Sequence, residues 1–150
     1  MIPFGLLQII TGGIGAFGFA LLFNVRGKKL LPSALGGVLG WAICVVLLPI
    51  FPFEPVRYLI STMVLTFYSE WMARRYRCPA TVFLTPASIP LIPGGSLYYT
   101  LNYAMRQEWA AFFHKGIATL LLMIAMAAGI LIAMTLMHMF SSLRQQFHST

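Results

Sequence analysis

Long apolar runs separated by short polar clusters dominate the chain. A helix that crosses a bilayer needs about 20 apolar residues, and five segments come near that length. They are residues 4–23, 32–51, 55–72, 79–102 and 116–140. The pattern therefore predicts an all-α, polytopic membrane helical bundle in which residues 1–150 form a single membrane domain.

Composition favours a membrane protein over a soluble one. Hydrophobic residues make up 59% of the chain and charged residues 9%, whereas soluble domains are about 25% charged. The net charge is +7, but the basic residues lie in short clusters between apolar runs, not in a stripe with interleaved aromatic residues. This distribution is typical of cytoplasmic loops and argues against nucleic acid as a partner.

The basic clusters also predict how the chain is oriented in the cell membrane. With five spans, seven Lys and Arg residues fall on one side and three on the other. The positive-inside rule then places the N-terminus outside and the C-terminus in the cytoplasm. A four-span arrangement, in which the fourth segment re-enters, gives eight against two. Charge counting leaves both arrangements open.

Small residues recur every four positions in three of the five segments. In lipid, this spacing lets helix backbones approach one another closely, so it predicts helix-packing faces. The residues are Gly12, Ala16 and Ala20 in the first segment; Gly36, Gly40 and Cys44, with Ser33 and Gly37 beside them, in the second; and Ala125, Gly129 and Ala133 in the fifth.

The fourth segment contains a motif that should interrupt its helix, "SIPLIPGGSLYYT", at residues 88–100. A proline has no N–H to donate to the carbonyl four residues earlier. Pro90 and Pro93 therefore leave the carbonyls of Pro86 and Ile89 without their usual donors, and we expect both carbonyls to be free. Unpaired backbone is tolerated at membrane depth only inside protein or against a water-filled cavity.

A second half-helix can begin beyond this break, with Ser96 as its N-cap. Gly94 and Gly95 permit backbone conformations that other residues rarely adopt. The free N–H groups and positive dipole of the half-helix would point toward the membrane centre, where a carboxylate can bind. Tyr98 would lie nearby and offer a hydroxyl. The alternative is a proline-kinked helix or a hairpin tip that binds no ligand.

The sequence offers little for catalysis or metal binding. Its three acidic residues lie near predicted membrane edges, and none of the common nucleophile, zinc or phosphate-loop motifs is present. Cys44 and Cys78 have neither CxxC nor Cys/His spacing. We therefore expect no enzyme activity, no cofactor and no metal site.

Two stretches resemble the C-terminal module of the threonine/serine exporter family. They are "GFALLFNV" at residues 18–25, which a basic loop follows, and "IPLIPGGSLYY" at residues 89–99. The number and order of spans also fit, so the resemblance covers most of the chain, and the length is similar to that of the small YjjB-type subunit. The most specific matching positions are Pro90, Pro93, Gly94 and Tyr98, with Asn24 as a second match.

The resemblance implies a subunit of a two-component secondary exporter of small carboxylate-bearing metabolites, of the threonine/serine type. Export of a dicarboxylate such as succinate is the alternative within that family, and a non-transporting membrane scaffold or assembly protein is the alternative outside it. The resemblance also implies a larger membrane subunit that carries the N-terminal module. Because no acid is predicted at mid-membrane, we expect any proton-coupling residue to lie on that partner. The predicted substrate-binding residues are Pro90, Pro93, Gly94, Gly95, Ser96, Tyr98 and Asn24.

Overall fold

A computed structural model describes residues 4–147, with side chains described for residues 5–139. Six α-helices make up nearly all of this part of the chain, and it contains no β-strand. The helices are α1 (Phe4–Leu22), α2 (Leu30–Val46), α3 (Glu54–Tyr76), α4 (Thr81–Ser88), α5 (Gly94–Met105) and α6 (Trp109–Phe147). Short 3₁₀ turns, Gly27–Lys29 and Ile89–Leu91, precede α2 and follow α4. The predicted all-α bundle with a broken fourth segment is therefore confirmed.

Several helix boundaries differ from the predicted segments, and the end of α2 and the start of α6 are two clear cases. α2 ends at Val46, five residues before the predicted end of the second segment, and Pro49 and Pro52 follow closely, where a helix cannot continue. α6 begins at Trp109, seven residues before the predicted start of the fifth segment, because the polar residues 106–108 are enough to form the turn after α5. The helix has 39 residues. At about 1.5 Å per residue α6 is roughly 58 Å long, well beyond the ~30 Å hydrocarbon core of a bilayer.

Three helices end in the same left-handed turn, formed by residues other than glycine. Asn24, Arg77 and Gln107 have φ angles of 58°, 49° and 59°. In each case the N–H of the next residue donates to a carbonyl five residues earlier, as from Val25 to Ala20 at 2.9 Å. This arrangement satisfies carbonyls that a helix end would otherwise leave free.

α2 runs antiparallel to α1 and α3 and parallel to α4. The first turn of α2 contacts the start of α4, since Ser33 Oγ donates to the Val82 carbonyl at 3.3 Å. The middle of α2 contacts the end of the 3₁₀ turn, where Leu91 lies against Gly40. The loops that follow α1 and α3 therefore lie at one end of the bundle, called here the basic end because they carry the Arg26 and Arg74 clusters.

α6 runs parallel to α3 and antiparallel to α5. Thr62 of α3 donates to the Met126 carbonyl at 3.2 Å, and further along α3 Glu70 lies beside Met134 and His138. The first turns of α6 pack instead on α5, where the Thr100 and Thr119 hydroxyls are 3.3 Å apart. α6 thus joins α5 to the rest of the bundle, and its later turns run toward the basic end.

All three predicted small-residue faces are buried at helix contacts. α2 uses its glycines against three different neighbours: Gly37 against α1, Gly36 against α3 and α4, and Gly40 against the 3₁₀ turn after α4. In α6, Gly129 lies against the Leu59 carbonyl and Thr62 of α3. Close backbone approach at small residues, as predicted, is confirmed as the packing principle of the bundle.

α3 is the most polar of the long helices, yet its hydroxyl-bearing face is completely buried. Four side chains there have 0% exposure: Ser61, Thr62, Thr66 and Ser69. Three of their hydroxyls donate to carbonyls one turn earlier in α3, and Ser61 donates to the Gly40 carbonyl of α2. Because each hydroxyl has an acceptor, the face can be buried without unpaired polar groups.

Three helical segments are long and apolar enough to cross a membrane by length and composition. They are Gly5–Leu22, Gly27–Val46 and Trp109–Met139. α3 has the length, with 23 residues, but five of them are charged. α4 and α5 have 8 and 12 residues, so the broken segment could cross only as a pair of half-helices. The number of spans, four or five, stays a prediction.

We predict that Gly37→Ala destabilises the protein by about 1–3 kcal/mol, the usual effect of overpacking. A Cβ at Gly37 would lie 2.8 Å from the Gly12 carbonyl oxygen, and this backbone atom can move only if α1 and α2 separate. The measurement is the thermal unfolding midpoint in detergent. Gly18→Ala is the matched control, because a Cβ at Gly18 meets nothing within 4 Å and both changes gain the same helix propensity. Equal midpoints for the two variants would contradict this account of the α1–α2 contact.

Candidate functional site at the helix break

The break between α4 and α5 follows from two prolines. α4 ends at Ser88, and the 3₁₀ turn Ile89–Leu91 follows it. Ile92 then leaves the helical region, with ψ at 130°, as expected for a residue that precedes proline. Pro93 is the N-cap of α5, with φ −74° and ψ 59°. The chain therefore changes from one helix to the next within five residues.

The Ile89 carbonyl at the break is not left free in the way the sequence predicts. The Ile89 carbonyl accepts the Ile92 N–H at 3.0 Å, so the expectation that Pro93 would free it is wrong. The 3₁₀ turn explains the difference, since it replaces the missing bond from four residues ahead by one from three residues ahead. The Pro90 carbonyl is also paired, because it accepts the indole Nε1–H of Trp41 at 3.2 Å.

Gly94 and Gly95 form the first two positions of α5 and have ordinary helical backbone. Neither belongs to the described residues with positive φ, so the expectation of a special glycine conformation is wrong. A Cβ at either position would meet nothing within 4 Å, and both residues are exposed. Neither backbone strain nor packing within the described chain requires glycine at these positions.

The start of α5 is open, as predicted, but Ser96 is not its N-cap. The helix begins two residues earlier, since the Pro93 carbonyl accepts the Leu97 N–H at 3.0 Å. The Gly94 N–H turns back to the Ile92 carbonyl at 2.7 Å. The N–H groups of Gly95 and Ser96 have no acceptor among the described residues, because Pro93 offers no side-chain cap. Two backbone donors at the start of α5 are therefore without an acceptor in the described part of the chain.

Tyr98 lies one turn beyond Gly94, on the same face of α5. Gly94 and Tyr98 share a face because they are four residues apart. Thr100 packs on α6 from the other side of the helix. Tyr98 is 63% exposed, and its ring meets Tyr99 edge to face with centroids 5.5 Å apart. Gly94 and the Tyr98 phenol therefore share a surface that the described chain leaves uncovered.

The structure brings six of the seven predicted site residues together at the break and places Asn24 elsewhere. Gly15 of α1 lies against Pro90, whereas Asn24 is nine residues further along, or roughly 13 Å at 1.5 Å per residue. Asn24 is exposed and forms the left-handed end of α1, a conformation that asparagine tolerates well. Its predicted contact with substrate stays a prediction, separate from the site at the break.

Sequence reasoning missed Trp41, which holds the break in place. Gly12 makes room for its indole ring on α1, and the ring then reaches the Pro90 carbonyl. A signal existed, because a buried indole N–H needs an acceptor and a proline-broken helix offers carbonyls. The sequence alone does not say which tryptophan meets which carbonyl.

We predict that Trp41→Phe loosens the junction between α4 and α5. Phenylalanine keeps an aromatic ring but removes the donor, and one hydrogen bond contributes about 1 kcal/mol net. Amide hydrogen exchange over residues 89–97 should become several-fold faster. The control is Trp71→Phe, since Trp71 is 62% exposed. Unchanged exchange in Trp41→Phe would show that the hydrogen bond does not hold the break.

Comparison with known proteins identifies the family. The model of the family described as "Threonine/Serine exporter, ThrE" matches residues 8–136, which include all of the break and most of the six helices. No solved structure matches the chain. The family is one of transporters, and its match agrees with the three apolar helices that suit a membrane location. The chain therefore belongs to the threonine/serine exporter family.

Proposed function

We propose that this chain is one subunit of a two-component secondary exporter, and that it contacts the carboxylate of its substrate at the start of α5. The observation that carries the proposal is the pair of N–H groups at Gly95 and Ser96, which have no acceptor within the described part of the chain. The transported compounds are small carboxylate-bearing metabolites of the threonine/serine type.

The chemistry at the start of α5 suits an anion. Unpaired N–H groups and the positive end of the helix dipole favour negative charge there. Gly94 and Gly95 have no side chain, so a carboxylate can approach the backbone closely. Pro90 and Pro93 shape the turn, and the exposed Tyr98 hydroxyl is one turn away as a further donor.

The open face of α5 supports a requirement for a partner subunit. In lipid, backbone donors must be covered by protein or reached by water, and within the described chain α5 packs mainly on α6. The faces that α5 and the first half of α6 leave uncovered are strongly apolar. Large exposed side chains on them are Leu97, Tyr98, Tyr99, Leu101, Met105, Trp109, Phe113, Ile117, Leu120 and Ile124. A larger membrane subunit carrying the N-terminal module would cover this surface and complete the substrate site.

The helix start alone does not choose among carboxylates. An N-terminal anion site binds a dicarboxylate such as succinate by the same contacts, so succinate export is the alternative substrate assignment. A non-transporting scaffold would use the apolar faces but would not need the glycines at the start of α5. Substitution of those glycines therefore separates transport from scaffolding.

We predict that Gly94→Val and Gly95→Val reduce efflux about tenfold or more, without loss of the protein. A Cβ at either position meets nothing within 4 Å, so a side chain can be added there, and the branched side chain of valine would keep a carboxylate away from the backbone. A charge-assisted hydrogen bond contributes about 1.5–3 kcal/mol, which corresponds to about tenfold or more in affinity. Tyr98→Phe should have a smaller effect.

The measurement is efflux of preloaded threonine, serine and succinate from cells that express the chain together with its partner subunit. Rates are normalised to the amount of assembled complex in the membrane. Gly18→Val is the control, because Gly18 is an exposed glycine of α1 with open space around it. Normal efflux by Gly94→Val at normal abundance would show that the substrate does not contact the backbone at the start of α5.

We also propose that the basic end of the bundle faces the cytoplasm. α6 runs parallel to α3, so the later part of α6 lies at the same end as both basic loops. This placement supports the arrangement in which the broken segment crosses once and the N-terminus lies outside.

The predicted orientation is testable by cysteine labelling in a background without Cys44 and Cys78. A membrane-impermeant maleimide added to intact cells should label Ile50→Cys but neither Lys28→Cys nor Thr150→Cys. Labelling of both Ile50→Cys and Thr150→Cys, without labelling of Lys28→Cys, would favour the four-span arrangement. Labelling of Lys28→Cys would reverse the orientation.

A further inference from the structure

A cavity of about 340 Å³ lies at the end of the bundle opposite the basic loops. It lies between the start of α1, the end of α2 and the start of α3, and its size is within the range of small-molecule sites. Apolar side chains form part of its wall, but polar ones also line it, among them Gln8, Glu54, Arg57 and Tyr58. Such a concentration of polar groups is unusual in a chain with 9% charged residues.

Arg57 is the group in this cavity that most needs a ligand. Its Nε is buried and has no hydrogen-bond partner among the described residues. A guanidinium carries five N–H donors and stays charged, and a buried donor without an acceptor is strongly unfavourable. An oxygen anion in the cavity would satisfy it, and a carboxylate fits the planar guanidinium with two parallel hydrogen bonds.

Glu54 supplies the opposite charge at the same cavity. It is the first residue of α3, one turn before Arg57, so the two side chains leave the helix on the same side. Neither forms a salt bridge within the described part of the chain. The cavity thus presents a cation and an anion to the same small volume, together with the Gln8 amide and the Tyr58 hydroxyl.

We propose that this cavity is a binding site for a free amino acid, with Arg57 on the α-carboxylate and Glu54 on the α-ammonium group. Gln8 and Tyr58 provide hydrogen bonds for a polar side chain such as a hydroxyl. The site is separate from the start of α5, and its assignment to transport rests on the function proposed above. It also gives a reason for amino acids over dicarboxylates, since the second carboxylate of succinate would meet Glu54.

The cavity contains its own spectroscopic reporter. Trp41 lines it, and the same indole donates to the Pro90 carbonyl at the break. The chain has three tryptophans, and the other two, Trp71 and Trp109, are 62% and 56% exposed. Replacing both by phenylalanine leaves Trp41 as the reporter of ligand binding.

The experiment is a fluorescence titration of the full-length Trp71→Phe/Trp109→Phe chain in nanodiscs of phosphatidylglycerol, a lipid without an ammonium group. We expect saturable changes in Trp41 emission with threonine. Apparent affinity should be at least about tenfold weaker for 3-hydroxybutyrate, which lacks the ammonium group, for threonine methyl ester, which lacks the carboxylate, and for succinate. No saturable response to threonine, or an equal response to succinate, would overturn the proposal.

Variants assign the two charges. Arg57→Gln should weaken threonine binding at least about tenfold, and Glu54→Gln should bring threonine and succinate to similar affinities. Glu54 is exposed, so its variant tests the site even if Arg57→Gln does not fold. Arg106→Gln is the matched control, an exposed arginine at the same end of the bundle and outside the cavity. If Glu54→Gln keeps the preference of the parent chain for threonine, the assignment of the ammonium group is wrong.

A phospholipid headgroup with an ammonium group offers the same chemistry from a different source. A Trp41 response to added phosphatidylethanolamine but not to threonine would assign the cavity to lipid and overturn the proposal. The titration measures binding to this chain alone, so it stands even if Gly94→Val exports normally. Conversely, efflux that is lost in Gly94→Val, together with no Trp41 response to threonine, would rule out the cavity as an amino-acid site and leave the proposed transport function standing.

Discussion

Close approach of α2 to its neighbours is the contact on which the rest of the bundle depends. Gly36, Gly37 and Gly40 lie within two turns of α2, and each meets a different part of the structure: α3 and α4, α1, and the turn after α4. Without a hydrophobic driving force between helices in lipid, helices are held together by close packing and by hydrogen bonds between them, and the glycines of α2 permit both. The same approach exposes the Gly40 carbonyl to the Ser61 hydroxyl, which allows a polar face of α3 to be buried.

The break between α4 and α5 is stabilised by this packed region and opens away from it. Trp41, the residue after Gly40, reaches the Pro90 carbonyl, and Leu91 is fully buried against the core. A few residues later the chain begins α5 with two unpaired donors and an exposed phenol. The packed side of the break thus positions the open side, as the substrate contact proposed above requires.

Charge is distributed in the structure according to the two proposed roles. The start of α5 offers backbone donors without a side-chain cation, which suits transient contact with any carboxylate. The cavity near α3 offers Arg57 and Glu54 together, which suits a zwitterion and disfavours a second negative charge. If the substrate contacts both sites during transport, the cavity would discriminate between amino acids and dicarboxylates, and the start of α5 would contact the carboxylate in passage. The uncovered apolar faces of α5 and α6 are where a second subunit would complete the transport path.

Local chemistry was enough to predict the helical fold, the small-residue faces and the position of the break, because a proline lacks its N–H in any tertiary context and glycine spacing survives in any bundle. The same chemistry did not predict that a 3₁₀ turn would satisfy the Ile89 carbonyl or that α5 would begin at Gly94, before Ser96. Those outcomes depend on competition among nearby hydrogen bonds. Only the tertiary structure placed Trp41 on Pro90, separated Asn24 from the break and gathered Gln8, Glu54 and Arg57 around one cavity, because residues far apart in sequence meet there through packing of whole helices.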